Sequence, residues 1–117
     1  MDQSAQTEAT TAEIASEYWK LIRSFSKIVE TLGPESRSRV EAQVRYSTNR
    51  LNAILSQVDM NLIVYRGEMF DSYLPVVAIN ADEFVGDANL IIQDTIEPTI
   101  MLGRRVIRTG KVYLTKG

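Results

Sequence analysis

Apolar side chains in the first half of this chain recur in alternating steps of four and three. They fall at Ile14, Tyr18, Leu21, Phe25, Ile28 and Leu32, then again at Val40, Val44, Leu51, Ile54 and Val58, with Ser47 filling the missing rung. Such spacing lays one narrow stripe on each of two helices, the seam of a coiled coil or helix bundle. Two helices of about twenty residues cannot enclose a core, and bundles usually need four. The pattern therefore predicts that a second copy supplies the other pair. Ile14, Tyr18, Leu21, Phe25, Ile28, Leu32, Val44, Leu51 and Ile54 would form the dimer interface. Trp19, beside the stripe, reads as widening the apolar face toward a neighbouring helix.

Local signals set the helix ends. Residues 1–10 are polar and read as a disordered tail. Thr10 followed by Glu13 is a capping-box pattern, so the first helix is expected from Thr10 or Thr11 to about Leu32. Gly33 then supplies a left-handed cap, and Pro34 prevents continuation. Glu17 and Lys20 stand three apart and are expected to pair. A second helix follows from Pro34 or Ser36 to about Val58, close enough to form an antiparallel hairpin with the first. Its outer surface carries Arg37, Arg39, Arg45 and Arg50 and reads as a solvated face.

From Asp59 the pattern changes to short β-branched runs. Leu62-Ile63-Val64-Tyr65, Val76-Val77-Ala78-Ile79, Leu90-Ile91-Ile92, Val106-Ile107 and Val112-Tyr113-Leu114 read as strands. Turn signals at Gly67, Gly86-Asp87, Gly103 and Gly110 separate most of them, and Pro98 interrupts the longest connection. The predicted class is α+β: a helix hairpin over residues 11–58 for dimerisation, then a small antiparallel β-domain or barrel over residues 59–117.

Composition narrows function by exclusion. With no histidine and no cysteine, the chain has no imidazole base, no thiol nucleophile and none of the usual soft metal ligands. No Gly-x-Ser-x-Gly elbow or phosphate-cradling Gly-rich loop is present. Asp82, Glu83 and Asp87 lack the spacing of a calcium loop and read as a solvated turn. No enzymatic activity, cofactor or metal is expected. A net charge of −2 and a pI near 5.1 argue against a generic nucleic-acid or anionic-membrane binder. No apolar run approaches a spanning helix, and the lack of cysteine fits an intracellular location.

Several short motifs, in order, resemble the GrpE family of nucleotide exchange factors. Gly103-Arg104-Arg105-Val106-Ile107-Arg108-Thr109-Gly110-Lys111-Val112 is similar to that family's Gly-Arg-Val-Leu-Arg-Pro-Ala-x-Val. Gly67-Glu68-Met69-Phe70-Asp71 resembles its Gly-x-Pro-Phe-Asp turn, and Asp82-Glu83 with Gly86 its acidic turn. The resemblance covers residues 14–116. Ser72 and Pro75-Val76-Val77 stand where the family has Pro and a His-Glu-Ala segment, and Gln93 to Gly103 is longer than the corresponding loop. Only a polar tail precedes Ile14, so a short form lacking the family's long N-terminal stalk helix is expected.

That resemblance implies a cytoplasmic stress-response co-chaperone that binds the nucleotide-binding domain of a DnaK-type chaperone and promotes ADP release. In the family, a dimer holds two β-domains away from a four-helix bundle. Partner-binding positions carry over to Arg105, if the motif valine is Val106, with Arg104 as the alternative register, and to Arg108, Leu114 and Met69. Arg108 reads equally as a structural ion pair, and Phe70 as packing under the sheet. A dimeric adaptor with this fold and no exchange activity is the alternative. An oligonucleotide-binding barrel is weaker, because only Tyr113 lies near the arginines.

Overall fold

Two helices lead into six short strands, and the coarse class is α+β. The computed structural model describes residues 3–117. Helix α1 (Gln3–Val29) begins well before the Thr10–Glu13 box. The stretch expected to be a disordered tail is therefore helical from Gln3 onward; Met1 and Asp2 lie outside the described residues. Farther along, the helix has a second face, made of residues that weigh little in a hydrophobic ladder. Ala12, Ala15, Ser16, Ile22 and Val29 are buried, roughly 100° round from the heptad stripe. Their small members let strands approach closely, and Glu8 reaches Arg105 at 3.2 Å, anchoring the early turns.

The α1 ladder stops at Val29, and two tight turns follow in which Thr31 and Leu32 donate to the carbonyls of Ile28 and Val29. Gly33 is not a left-handed cap. It is extended (φ −68°, ψ 163°) and stands as the N-cap of α2 (Pro34–Ser56). Pro34 at the first helical position removes an N–H that a helix start leaves unpaired anyway. Glu17 and Lys20 pair at 2.6 Å, as their spacing predicts.

The strands are β1 (Met60–Ile63), β2 (Val76–Ala78), β3 (Leu90–Glu97), β4 (Thr99–Leu102), β5 (Arg105–Arg108) and β6 (Gly110–Lys116). They form two three-stranded sheets, ordered β1-β4-β5 and β2-β6-β3. The expectation of a wholly antiparallel region is corrected by β2, which runs parallel to β6. The long intervening chain permits that direction, since parallel neighbours need a crossover of a dozen residues or more. Asn80 extends this pairing with its side-chain amide, donating to the Leu114 carbonyl at 3.0 Å and accepting from its N–H at 2.8 Å.

The stretch from Gln93 to Gly103, read as a long connection, is strand on both sides of Pro98. Buried Pro98 marks the corner where the chain leaves one sheet for the other, a place where a missing donor costs no ladder bond. Gly103 and Arg104 form a two-residue hairpin between Leu102 and Arg105, with Gly103 at φ 59°. Such a hairpin favours a positive φ at its first central residue. Arg104 is thereby a turn residue, and Arg105 opens β5.

Two clusters hold the molecule together. One joins α1, α2 and the first sheet through Ala12, Ala15, Ile22, Leu51, Leu55, Met60 and Ile100. The other fills the second sheet with Tyr65, Ile92, Val112 and Leu114, flanked by Phe70, Leu74 and Phe84. The first sheet thus packs directly on the helices instead of being held away from them. The result is a slab of 46 × 42 × 18 Å with a radius of gyration of 16.1 Å, against about 13 Å for a compact chain of this length.

Candidate interaction surfaces

The heptad stripe stays uncovered within its own chain. Ile14 is 63% exposed and Leu21 61%, and Tyr18, Phe25 and Ile28 also lie open. Leu32, Val40 and Val44 are half-buried, and Ile54 and Val58 continue the open surface on α2. Between the helices lies an apolar groove of about 430 Å³, lined by Tyr18, Leu21, Phe25, Val40, Val44 and Ser47. Ser47 accepts a hydrogen bond from Gln43 at 3.1 Å, so the polar rung is satisfied along its own helix. Leu51 departs from expectation. At 5% exposure it belongs to the core shared with the first sheet, because the chain enters β1 soon after α2 ends and covers the helix's last turns. Trp19 likewise packs on that shared core.

The motif arginines fare differently from one another. Arg104 is exposed on the hairpin turn and makes no ion pair among the described residues. Arg105 pairs with Glu8 of α1 at 3.2 Å. Arg108, half-buried, pairs with Glu97 at 3.4 Å across the β-region, which is the structural alternative to partner contact. Leu114, expected near a docking face, is only 2% exposed and sits in the second core, because alternate residues of β6 point inward. Met69 is exposed beside β3, and Phe70 packs against the second core.

Glu97 gathers cations from three elements. Its carboxylate lies 3.5 Å from Lys20 on α1, 3.4 Å from Arg108 on β5 and 3.6 Å from Lys111 on β6. Burial alone pushes its pKa up, but the charges of Lys20, Lys111 and Arg108 outweigh that and hold the carboxyl below its ordinary value. The hydrogen bond to Glu17 raises Lys20 above the usual lysine value; partial burial opposes this and Glu97 reinforces it. A depressed folded pKa means that, as pH falls, the unfolded chain takes up the proton first. The stabilisation is complete above the unfolded value of about 4.3 and is lost as pH drops through the folded one. Glu97→Gln is therefore expected to lower stability at neutral pH by about 1 kcal/mol and to flatten the acid side of the stability profile. Urea titrations between neutral and acid pH read this directly; a variant profile parallel to the wild type's would show that the cluster contributes nothing.

Several exposed apolar side chains between β1 and β3 have no signature in the sequence. Tyr73 is 92% exposed, and Val77, Ile79 and Val85 are also open. Val77 and Ile79 fall in a run that reads as strand, where alternation leaves one face outward, and no local signal says which. Ser24 and Lys27 also stand three apart on α1, the spacing of a serine–lysine pair. The Ser24 hydroxyl donates to the Lys20 carbonyl at 3.1 Å, and no hydrogen bond joins it to Lys27 among the described residues. Also among the described residues, no helix is long and apolar enough to cross a membrane. Comparison of the chain with protein-family models, curated proteins and solved structures finds no match.

Proposed function

We propose that the chain is a homodimeric co-chaperone that binds the nucleotide-binding domain of a DnaK-type chaperone and promotes ADP release. The observation that carries it is one chain combining an uncovered helix seam with an exposed arginine turn at the motif position. An accessible surface of 7906 Å² exceeds the about 6,400 Å² typical of a monomer this size. The excess, about 1,500 Å², is within the range that one partner buries in an obligate dimer interface, and Ile14, Leu21 and Phe25 are open apolar residues on the stripe. A second hairpin laid on that stripe completes a four-helix bundle.

The work such a protein does is differential binding, with no covalent step. It must favour the opened nucleotide cleft over the closed one, and the two affinities are linked reciprocally. A hundredfold change in nucleotide affinity corresponds to about 2.7 kcal/mol of coupling. One anchoring arginine supplies energies of that order. Arg104, exposed and without an ion pair among the described residues, is the arginine we assign to this contact; Met69 is exposed on the other sheet, beside β3.

A dimeric adaptor without exchange activity is the second reading. It is favoured by Arg105 and Arg108 being engaged within the chain and by the burial of Leu114. Release of labelled ADP from a DnaK-type chaperone separates the two. Arg104→Ala is expected to slow stimulated release about tenfold while the dimer mass stays unchanged. Arg105→Ala is the companion variant, since its pair with Glu8 must open for it to dock. A wild-type protein with no effect on release from any DnaK-type chaperone of its own source decides for the adaptor.

A further inference from the structure

The geometry points to a binding site for a compact polyanion of the phosphate class, in the cleft between the C-terminal half of α1 and the β-region. This site is independent of the exchange reading. The cleft has a volume of about 580 Å³, within the range of small-ligand sites, and Trp19, Arg23, Lys27 and Arg66 line it. An adjoining hollow of about 300 Å³ shares Arg23, Lys27 and Arg66 and adds Tyr113. A chain of net charge −2 thus concentrates three cations at one concave place. Arg23 and Lys27 are four apart on one helix face, where like charges repel, and Arg66 comes to them from the segment after β1.

Two carboxylates also line the cleft, Asp94 and Glu30. Asp94, its side chain 39% exposed, accepts from Arg23 at 2.7 Å and from the Thr95 N–H at 2.9 Å, which holds the guanidinium in place. Glu30 makes no ion pair among the described residues, and neither do Lys27 and Arg66. The lining is therefore positive by one charge, three cations against two carboxylates. Lys27 also suits the negative end of α1, but Arg66 is exposed and has no such role. Planar guanidinium forks beside a compact ammonium match the oxygens of a phosphate group. Because the charge lines one concave place, with Arg23 and Lys27 about one helical turn apart, it fits a small anion better than an extended acidic chain.

Trp19 is the single tryptophan of the chain and lies in this cleft, so its fluorescence reports occupancy. The test titrates wild-type protein with inorganic pyrophosphate at constant ionic strength, which removes general screening effects. Calorimetry runs in parallel, so that a silent fluorophore is not mistaken for an empty cleft. Saturable binding with a dissociation constant below about 1 mM is expected. Lys27→Gln combined with Arg66→Gln should weaken it at least about tenfold, whereas Arg39→Gln on the outer face of α2 should not. Both altered side chains are exposed, so the variants are expected to keep wild-type circular dichroism and melting. Failure to saturate by both readouts, or equal binding by the double variant, overturns the site. Equal binding of tricarballylate, a carboxylate of similar charge, overturns the assignment to phosphate.

Discussion

Phe25→Asp is expected to convert the protein from a dimer to a folded single chain of 13.2 kDa in light scattering at micromolar concentration. Phe25 lies half open on α1, so a charge there leaves the isolated fold nearly undisturbed. In a symmetric bundle the same position is covered from both sides and occurs twice. An unpaired carboxylate removed from water costs several kcal/mol, and two of them raise the dissociation constant by at least about a thousandfold. Circular dichroism and the urea midpoint of the isolated chain should stay close to the wild type's at concentrations where neither protein associates. Tyr46→Asp is the control, because Tyr46 is more exposed, at 63% against 49%, and lies off the heptad stripe. A wild-type protein of single-chain mass at micromolar concentration would sink the idea, as would a Phe25→Asp protein that remains dimeric.

The second large effect is expected at Gly110, where β6 begins. A Cβ there would stand 2.7 Å from the Thr99 hydroxyl and 2.9 Å from both the Glu97 carbonyl oxygen and the Thr99 nitrogen. Two of those three atoms are backbone on either side of Pro98, at the corner between the sheets. The hydroxyl is itself held by donating to the Pro75 carbonyl at 2.8 Å. None of them can yield without moving β6 away from the corner. Gly110→Ala is therefore expected to destabilise by about 3 kcal/mol, lowering the melting midpoint by roughly 10–20 °C. Gly33→Ala is the contrast: Gly33 is extended, a methyl group there would meet nothing within 4 Å, and its effect should stay within about 1 kcal/mol, the cost of Ala at an N-cap. Urea unfolding of the two variants side by side checks this, and similar midpoints would refute the close approach at the corner.

Much of the element order was legible because it depends on neighbours in the chain. The heptad stripe, the stop before Pro34 and the hairpin glycine at Gly103 all announce themselves within a few residues. The early helix from Gln3 did not, since its first turns are mostly exposed and their tie to the β-region, Glu8 to Arg105, joins residues far apart in the chain. Strand β4 was hidden for a related reason: Pro98 suggests a loop, and only the passage between sheets turns it into a corner. The direction of β2 was invisible, because its partner lies more than thirty residues away and no local pattern encodes parallel pairing.

The candidate surfaces divide in the same way. The open stripe on α1 could be read directly, but Leu51 and Leu114 could not be excluded from interfaces until their burial was known. Arg104, Arg105 and Arg108 are alike in the motif and unlike in space, since Glu8 and Glu97 claim two of them. The cleft holding Arg23, Lys27 and Arg66 had no linear signature at all. What the sequence alone determined was the set of helices and most of the strands, the existence of an apolar heptad stripe and the absence of imidazole and thiol groups. Periodicity, turn residues and composition are local properties. The tertiary structure decided which face of α1 is covered, which arginine stays free and where cations converge, because those depend on contacts between residues far apart in the chain.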